Sequence, residues 1–213
     1  MEGLRQLLLN NRAWAGRISE ENPDFFPELA AQQTPRYLWI GCADSRVPAN
    51  EIVGLKPGEV FVHRNVGNVV AHGDLNCLSV IEYAVDILQV AHVVVVGHYG
   101  CGGVAAVLDG QPRGLIDNWL KHIEDVALAE RELLARAPDD ETRVNLLCEM
   151  NVRNQVANVA RTSVVQAAWG RGQALGVHGW IYSLRDGLLK DLDCSQFEPG
   201  YRGALSPDVP DLP

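Results

Sequence analysis

No run of apolar residues in this 213-residue chain approaches the roughly 18–20 needed to cross a bilayer, so nothing in it reads as a membrane span. The first residues, Met1-Glu2-Gly3-Leu4-Arg5, lack a basic segment leading into an apolar core, and no secretory signal is read there. Basic residues are in deficit. Eighteen Lys and Arg against 27 Asp and Glu give a formal net charge of −9 and a pI of about 5.1. This balance argues against broad affinity for nucleic acid or anionic membranes, which ask for a basic surface. Internal repeats and low-complexity segments are missing as well.

A disulfide framework is also missing. The five cysteines (Cys42, Cys77, Cys101, Cys148 and Cys194) are odd in number and widely spaced. They suit a reducing compartment, where thiols bind metal or sit in a core, and a cytoplasmic location is expected. Cys77 and Cys148 fall in helical patterns beside Leu78 and Leu147 and read as buried, while Cys194 carries no signal. What the chain does have is 47% apolar and 21% charged residues, the balance of a soluble globular protein. Its length allows one domain with extensions and an ample core.

Leu4, Leu7, Leu8, Asn11 and Trp14 recur at helical spacing, predicting an amphipathic helix over residues 3–16. A helix so far ahead of the first strand needs something to pack on, and a second subunit is the expected partner. A short helix follows over 27–32, ended by Pro35. Apolar runs predict strands at 37–41, 60–63, 91–96 and 174–182; the third is rich in β-branched residues and reads as a central parallel strand. Between them helices are predicted from Asp74, a candidate N-cap, and over 102–108, 115–136 and 139–168. Strand–helix alternation makes the fold class α/β: a mainly parallel sheet with helices on both faces. The chain divides into an N-terminal helical arm (1–35), an α/β domain (36–195) and a C-terminal tail (196–213).

Two strand-end stretches carry the chemistry. They are Gly41-Cys42-Ala43-Asp44-Ser45-Arg46 and Gly97-His98-Tyr99-Gly100-Cys101-Gly102-Gly103. In an open α/β sheet ligands bind at the carboxyl ends of the strands. Neighbouring strands would bring Cys42, Asp44, His98 and Cys101 together there. Two thiolates, an imidazole and a carboxylate form a zinc-type ligand set. Cys42, His98 and Cys101 supply three ligands and leave a fourth position for water or Asp44. Zinc so held brings the pKa of bound water to about 7. Arg46, two residues beyond Asp44, can hold its carboxylate by a bidentate pair and draw it off the metal, so the motif contains a possible switch.

Other readings of the same residues are a closed structural zinc knot, a glycine-rich phosphate loop and a cysteine-based redox or nucleophilic enzyme. The knot is disfavoured by Asp and by the wide ligand spacing. The phosphate loop lacks the acidic strand end about 20 residues on. The redox site lacks Cys-x-x-Cys. His63, His72, His92, His122 and His178 read as structural or surface residues.

Cys42-x-Asp44-Ser45-Arg46, His63-Arg64-Asn65-Val66-x-Asn68 and Gly97-His98-x-x-Cys101-Gly102-Gly103, in this order and at these intervals, resemble the β-class carbonic anhydrases. The likeness runs over roughly residues 3–195. It implies one zinc ion per chain and reversible hydration of CO2 to bicarbonate and a proton by zinc-bound hydroxide. Cys42, His98 and Cys101 match the family's zinc ligands, and Asp44 and Arg46 its catalytic dyad, with Asp44 able to take the fourth zinc position. Gln33 matches a pocket amide, and Phe61, Tyr83 and Leu88 an apolar pocket wall. The Gly102 N–H offers an anion contact at a helix start.

Trp39, Arg64 and Tyr182 match a second site at which bicarbonate inhibits a bacterial type within the family. Gly67 and Ala43 stand where Ala and Ser are frequent. The likeness further implies a homodimer or a homotetramer built as a dimer of dimers, with the N-terminal helix and some pocket residues crossing the interface. Hydrolysis of carbon disulfide or carbonyl sulfide at the same site, and a non-catalytic bicarbonate sensor, are the alternatives.

Overall fold

The computed structural model describes residues 2–198; most of the expected tail, 199–213, lies outside them. Helix α1 (Glu2–Glu21) is longer than the predicted 3–16. It runs on through Gly16 and stops at Asn22-Pro23, where proline disfavours helical backbone in the residue before it. After α2 (Phe25–Ala31) the chain enters β1 (Tyr37–Cys42), a single-turn α3 (Ala49–Ile52) and β2 (Val60–Asn65). Asp74 caps α4 (Leu75–Glu82) by accepting from the Asn76 N–H, and a π-helical turn (Tyr83–Ile87) leads to β3 (His92–His98). Helices α5 (Gly102–Asp109), α6 (Ile116–Ala129), α7 (Arg131–Leu134), α8 (Asp140–Ala160) and α9 (Ser163–Gly170) precede β4 (Gly176–Tyr182) and β5 (Leu189–Asp191).

The five strands lie in the order β2-β1-β3-β4-β5. The first four are parallel and β5 is antiparallel to β4. Strand β5 was not predicted: three residues, two of them charged, leave no periodic signal. The single helix expected over 139–168 is two, because buried Thr162 interrupts it. Its hydroxyl donates to the Val159 carbonyl and accepts from the Val165 N–H, closing one helix and capping the next.

The sheet's two faces are unequal. Leu38, Ile40, Val93 and Val95 pack with Ile81 of α4 and Leu147, Val152, Val156 and Val159 of α8 in the main core. On the other face Trp39, Val94 and Val96 meet only a small cluster with Val47, Ala49, Trp180 and Tyr182. The arm stays apart: Leu4, Leu7 and Leu8 of α1 are 62–72% exposed, and Trp14 meets Phe26 of α2 edge-on at 5.6 Å.

At the other end of the sheet from the two motifs, His92 Nδ1 lies 3.0 Å from His178 Nε2, and His178 Nδ1 lies 2.9 Å from Ser195 Oγ. Burial first, and then His92, lowers His178 from 6.5 to about 4. The unfolded chain takes up this proton near 6.5 and the folded chain only near 4, so unfolding binds protons between those values. The contribution is full above pH 6.5 and falls as the pH drops toward 4, by at most about 3 kcal/mol. Urea unfolding of the wild type and His178→Gln at intervals from pH 7.5 to 4 should show the steeper acid loss in the wild type. Parallel curves would contradict this role.

Candidate metal centre

Pairing of β1 with β3 sets Gly41 opposite Val96, so the segments after both strands leave the sheet side by side. β3 is longer than predicted and carries Gly97 and His98 within it. A side chain at Gly97 would meet Val152 Cγ2 of α8 at 2.5 Å, so only glycine lets α8 pack so close behind the site. Gly100 turns the chain with φ 64°, its N–H donating to Asn145 Oδ1, and brings Cys101 back to the start of α5.

The result is a buried group of three. Cys42 Sγ and Cys101 Sγ are 3.8 Å apart, and His98 joins them with all ligand atoms within 4.8 Å of one another. An ion with tetrahedral Zn–S bonds of 2.3 Å holds its sulfurs about 3.8 Å apart, so the cysteines already stand at metal-ligand spacing. His98 Nδ1 lies 3.1 Å from the Tyr99 carbonyl, which can only accept. Nδ1 therefore carries the hydrogen, and Nε2, buried and without a hydrogen-bond partner among the described residues, presents its lone pair.

The Cys42 thiol is lowered, chiefly because Cys101 donates to its thiolate, with the Gly67 N–H adding to this; Cys101 is pushed up in turn. A thiolate, a second thiol and a bare imidazole nitrogen, all buried, fit a zinc-type ion.

Asp44 stands beside this group. Arg46 donates Nε to Oδ1 at 2.9 Å and Nη2 to Oδ2 at 2.7 Å, and its backbone N–H reaches Oδ1 at 2.9 Å. The bidentate pair expected from sequence is therefore formed. The guanidinium holds the carboxyl well below the usual carboxylate range. Asp44 Oδ2 is 3.7 Å from His98 Nε2, so the carboxylate lies against the group without joining it.

Arg64 supports the segment from behind, donating to the carbonyls of Cys42 (Nε, 2.9 Å) and Asp44 (Nη2). Trp39 is 2% exposed, and its indole lies where a side chain at Gly41 would be; Nε1 has no hydrogen-bond partner among the described residues. Tyr182 pairs with His98 across β3 and β4 and packs in the small cluster with Trp39.

The expected pocket residues sit elsewhere in the chain. Phe61 pairs with Leu38, four residues before Cys42, which at about 3.3 Å per residue is roughly 13 Å back along the sheet. Tyr83 meets Phe61 at 5.8 Å, Leu88 packs on the same core, and exposed Gln33 precedes β1 altogether. Within one chain these four do not reach the metal group. Gly102 does, as the first residue of α5.

Sequence reasoning missed a polar stripe on α8. Asn151 donates to the Gly67 carbonyl at 2.8 Å, Gln155 accepts from the Val70 N–H at 2.8 Å, and Asn158 donates to the Val70 carbonyl at 3.0 Å. These amides fix the loop whose Gly67 N–H faces Cys42. Their spacing of four and three within an apolar helix face was the available signal.

The carbonic anhydrase family profile matches residues 37–189, most of the chain. The chain belongs to the β-class carbonic anhydrases. A carbonic anhydrase of Emericella nidulans is 50% identical over 184 residues, covering 86% of this chain and 81% of that protein. Among solved structures, a tetrameric β-carbonic anhydrase of the filamentous ascomycete Sordaria macrospora is 40% identical with a TM-score of 0.87, covering 92% of this chain and 100% of its own. A Coccomyxa β-carbonic anhydrase in complex with acetazolamide is 42% identical with a TM-score of 0.85, covering 89% of this chain and 86% of that one. The first two are fungal, so these likenesses do not place the chain with the bacterial type expected from its sequence.

Metal content tests the centre directly. After dialysis against metal-free buffer, the wild type should retain about one zinc per chain and Cys42→Ser well under half of that. Equal retention would remove Cys42 from the centre.

Proposed function

We propose that Cys42, His98 and Cys101 hold the catalytic zinc of this carbonic anhydrase and that Asp44 and Arg46 are its working pair in the reversible hydration of CO2. One observation carries the reading. A buried Cys–His–Cys group with a bare imidazole nitrogen lies against a carboxylate held in a bidentate arginine pair. Zinc supplies a water activated near neutral pH. Asp44, kept ionised by Arg46, accepts a hydrogen bond from that water and orients it. The Gly102 N–H at the start of α5 receives the bicarbonate oxygen. Should the Arg46 pair open, Asp44 is close enough to His98 to turn onto the metal and close the site.

Gln33, Phe61, Tyr83 and Leu88, of which Phe61 lies well back along the sheet from the metal group in its own chain, serve as the pocket wall of a partner subunit. The exposed apolar face of α1 supports that dimer, and the Sordaria relative supports a dimer of dimers. The five free cysteines support a reducing, cytoplasmic setting.

Bicarbonate regulation at Trp39, Arg64 and Tyr182 belongs to the same reading. Trp39 offers a buried N–H without a hydrogen-bond partner among the described residues, and Arg64 grips the carbonyls of Cys42 and Asp44. An anion that draws Arg64 toward itself loosens this segment and frees Asp44 to turn.

Stopped-flow CO2 hydration tests the whole scheme. Asp44→Asn should keep its zinc and lose about two orders of magnitude in turnover. Trp39→Phe should keep zinc and turnover but respond less to bicarbonate, and Arg64→Ala should keep zinc and respond less to bicarbonate, with a lower turnover because the Cys42 and Asp44 carbonyls lose their donor. An Asp44→Asn enzyme as fast as wild type would overturn the assignment of the pair. Inhibition unchanged in both other variants would overturn the regulatory site. A zinc-loaded wild type with no CO2 turnover would point to carbon disulfide or carbonyl sulfide as substrate, or to a sensor.

A further inference from the structure

A second cluster of metal-binding side chains lies outside the site described above. His63 of β2, Asp74 at the cap of α4 and Cys77 in its first turn bring their ligand atoms within 4.8 Å of one another. Among the described residues, only this group and Cys42–His98–Cys101 meet that spacing. We propose that His63, Asp74 and Cys77 form a second site for a divalent transition-metal ion of the zinc kind, which clamps β2 to the start of α4.

The donor set is the first argument. Imidazole nitrogen, thiolate sulfur and carboxylate oxygen are the three side-chain ligand types of zinc, and an intermediate-soft ion takes all of them. Placement is the second. Cys77 is fully buried and His63 is 7% exposed, while Asp74 is half-buried and leaves an approach from solvent. The three groups also respond to one another: the Asp74 charge opposes ionisation of the Cys77 thiol and favours the charged form of His63.

Burial outweighs that effect at His63 and keeps the imidazole in the neutral form a metal needs. The Cys77 thiol is pushed up to about 12, so the resting site holds one proton too many. Binding forms the metal–sulfur bond as the S–H bond breaks, and the proton leaves to water.

Existing contacts set the strength. Asp74 accepts from the Asn76 N–H at 3.0 Å through Oδ1 and keeps a second oxygen for an ion. Asn65 Nδ2 stands 3.2 Å from His63 Nε2, at the long end of hydrogen bonding. The ligand atoms lie within 4.8 Å of one another, and any pair near that limit must draw in to reach zinc-ligand spacing. With that adjustment and a protonated thiol, the second site binds more weakly than the first and fills only when free metal is plentiful. Filled, it stiffens the β2 end that carries Arg64 and Asn65.

Equilibrium dialysis of the zinc enzyme against free zinc, with metal counted per chain, tests this. The wild type should take up a second equivalent and melt at a higher temperature as it does so. Cys77→Ala and His63→Gln should stop at one equivalent with no such rise, and CO2 hydration at one zinc per chain should be unchanged. Asp74→Asn keeps the helix cap and should weaken the second equivalent at least tenfold, so the test stands even if a core variant folds poorly. Cobalt(II) added to the zinc enzyme should give a thiolate-to-metal absorption that Cys77→Ala lacks. A wild type that stops at one equivalent would overturn the site, as would a second equivalent that survives all three substitutions.

Discussion

Two cysteine sulfurs stand 3.8 Å apart beside a buried imidazole nitrogen that has no hydrogen-bond partner among the described residues, and that lone pair is a cost to the fold unless a cation takes it. Much of the surrounding structure serves that arrangement. Parallel strands β1 and β3 deliver the two segments to one edge of the sheet. Gly97 lets α8 close behind them, and the amides of Asn151, Gln155 and Asn158 hold the loop whose Gly67 N–H faces the Cys42 sulfur. Buried polar groups need such partners, and here the partners position the Cys–His–Cys group as they satisfy one another.

The Asp44–Arg46 pair lives under different physics. Arg46 is 59% exposed, so water screens the pair and its net worth is small despite good geometry. A pair that costs little to break suits the turning carboxylate of the proposed function, whereas Cys42, His98 and Cys101 beside it are immobilised by burial. Arg64 links the two regimes, because its guanidinium holds the backbone on either side of the turn between Cys42 and Asp44.

The Cys42–His98–Cys101 group was legible in the sequence because its residue types are scarce and sit directly after apolar, β-branched runs. Cys42, His98 and Cys101 could be paired without knowing any contact. The Asp74 cap was equally local and equally readable. Elements set by tertiary context were not. Strand β5 exists because β4 offers an edge, and the break at Thr162 rests on one hydroxyl serving two helices. Phe61, Tyr83, Leu88 and Gln33 were tied to the pocket by likeness alone, and the strand register sets Phe61 roughly 13 Å back from Cys42 along the sheet, with Tyr83 against it. His63, Asp74 and Cys77 looked like unrelated structural residues because the contact between β2 and α4 joins them only in three dimensions.

Zinc-edge X-ray absorption on enzyme dialysed to one zinc per chain tests the central claim most directly. The account predicts two sulfur neighbours at about 2.3 Å, one imidazole nitrogen at about 2.0 Å and one further light atom. A zinc surrounded by nitrogen and oxygen alone, or by a single sulfur, would contradict it.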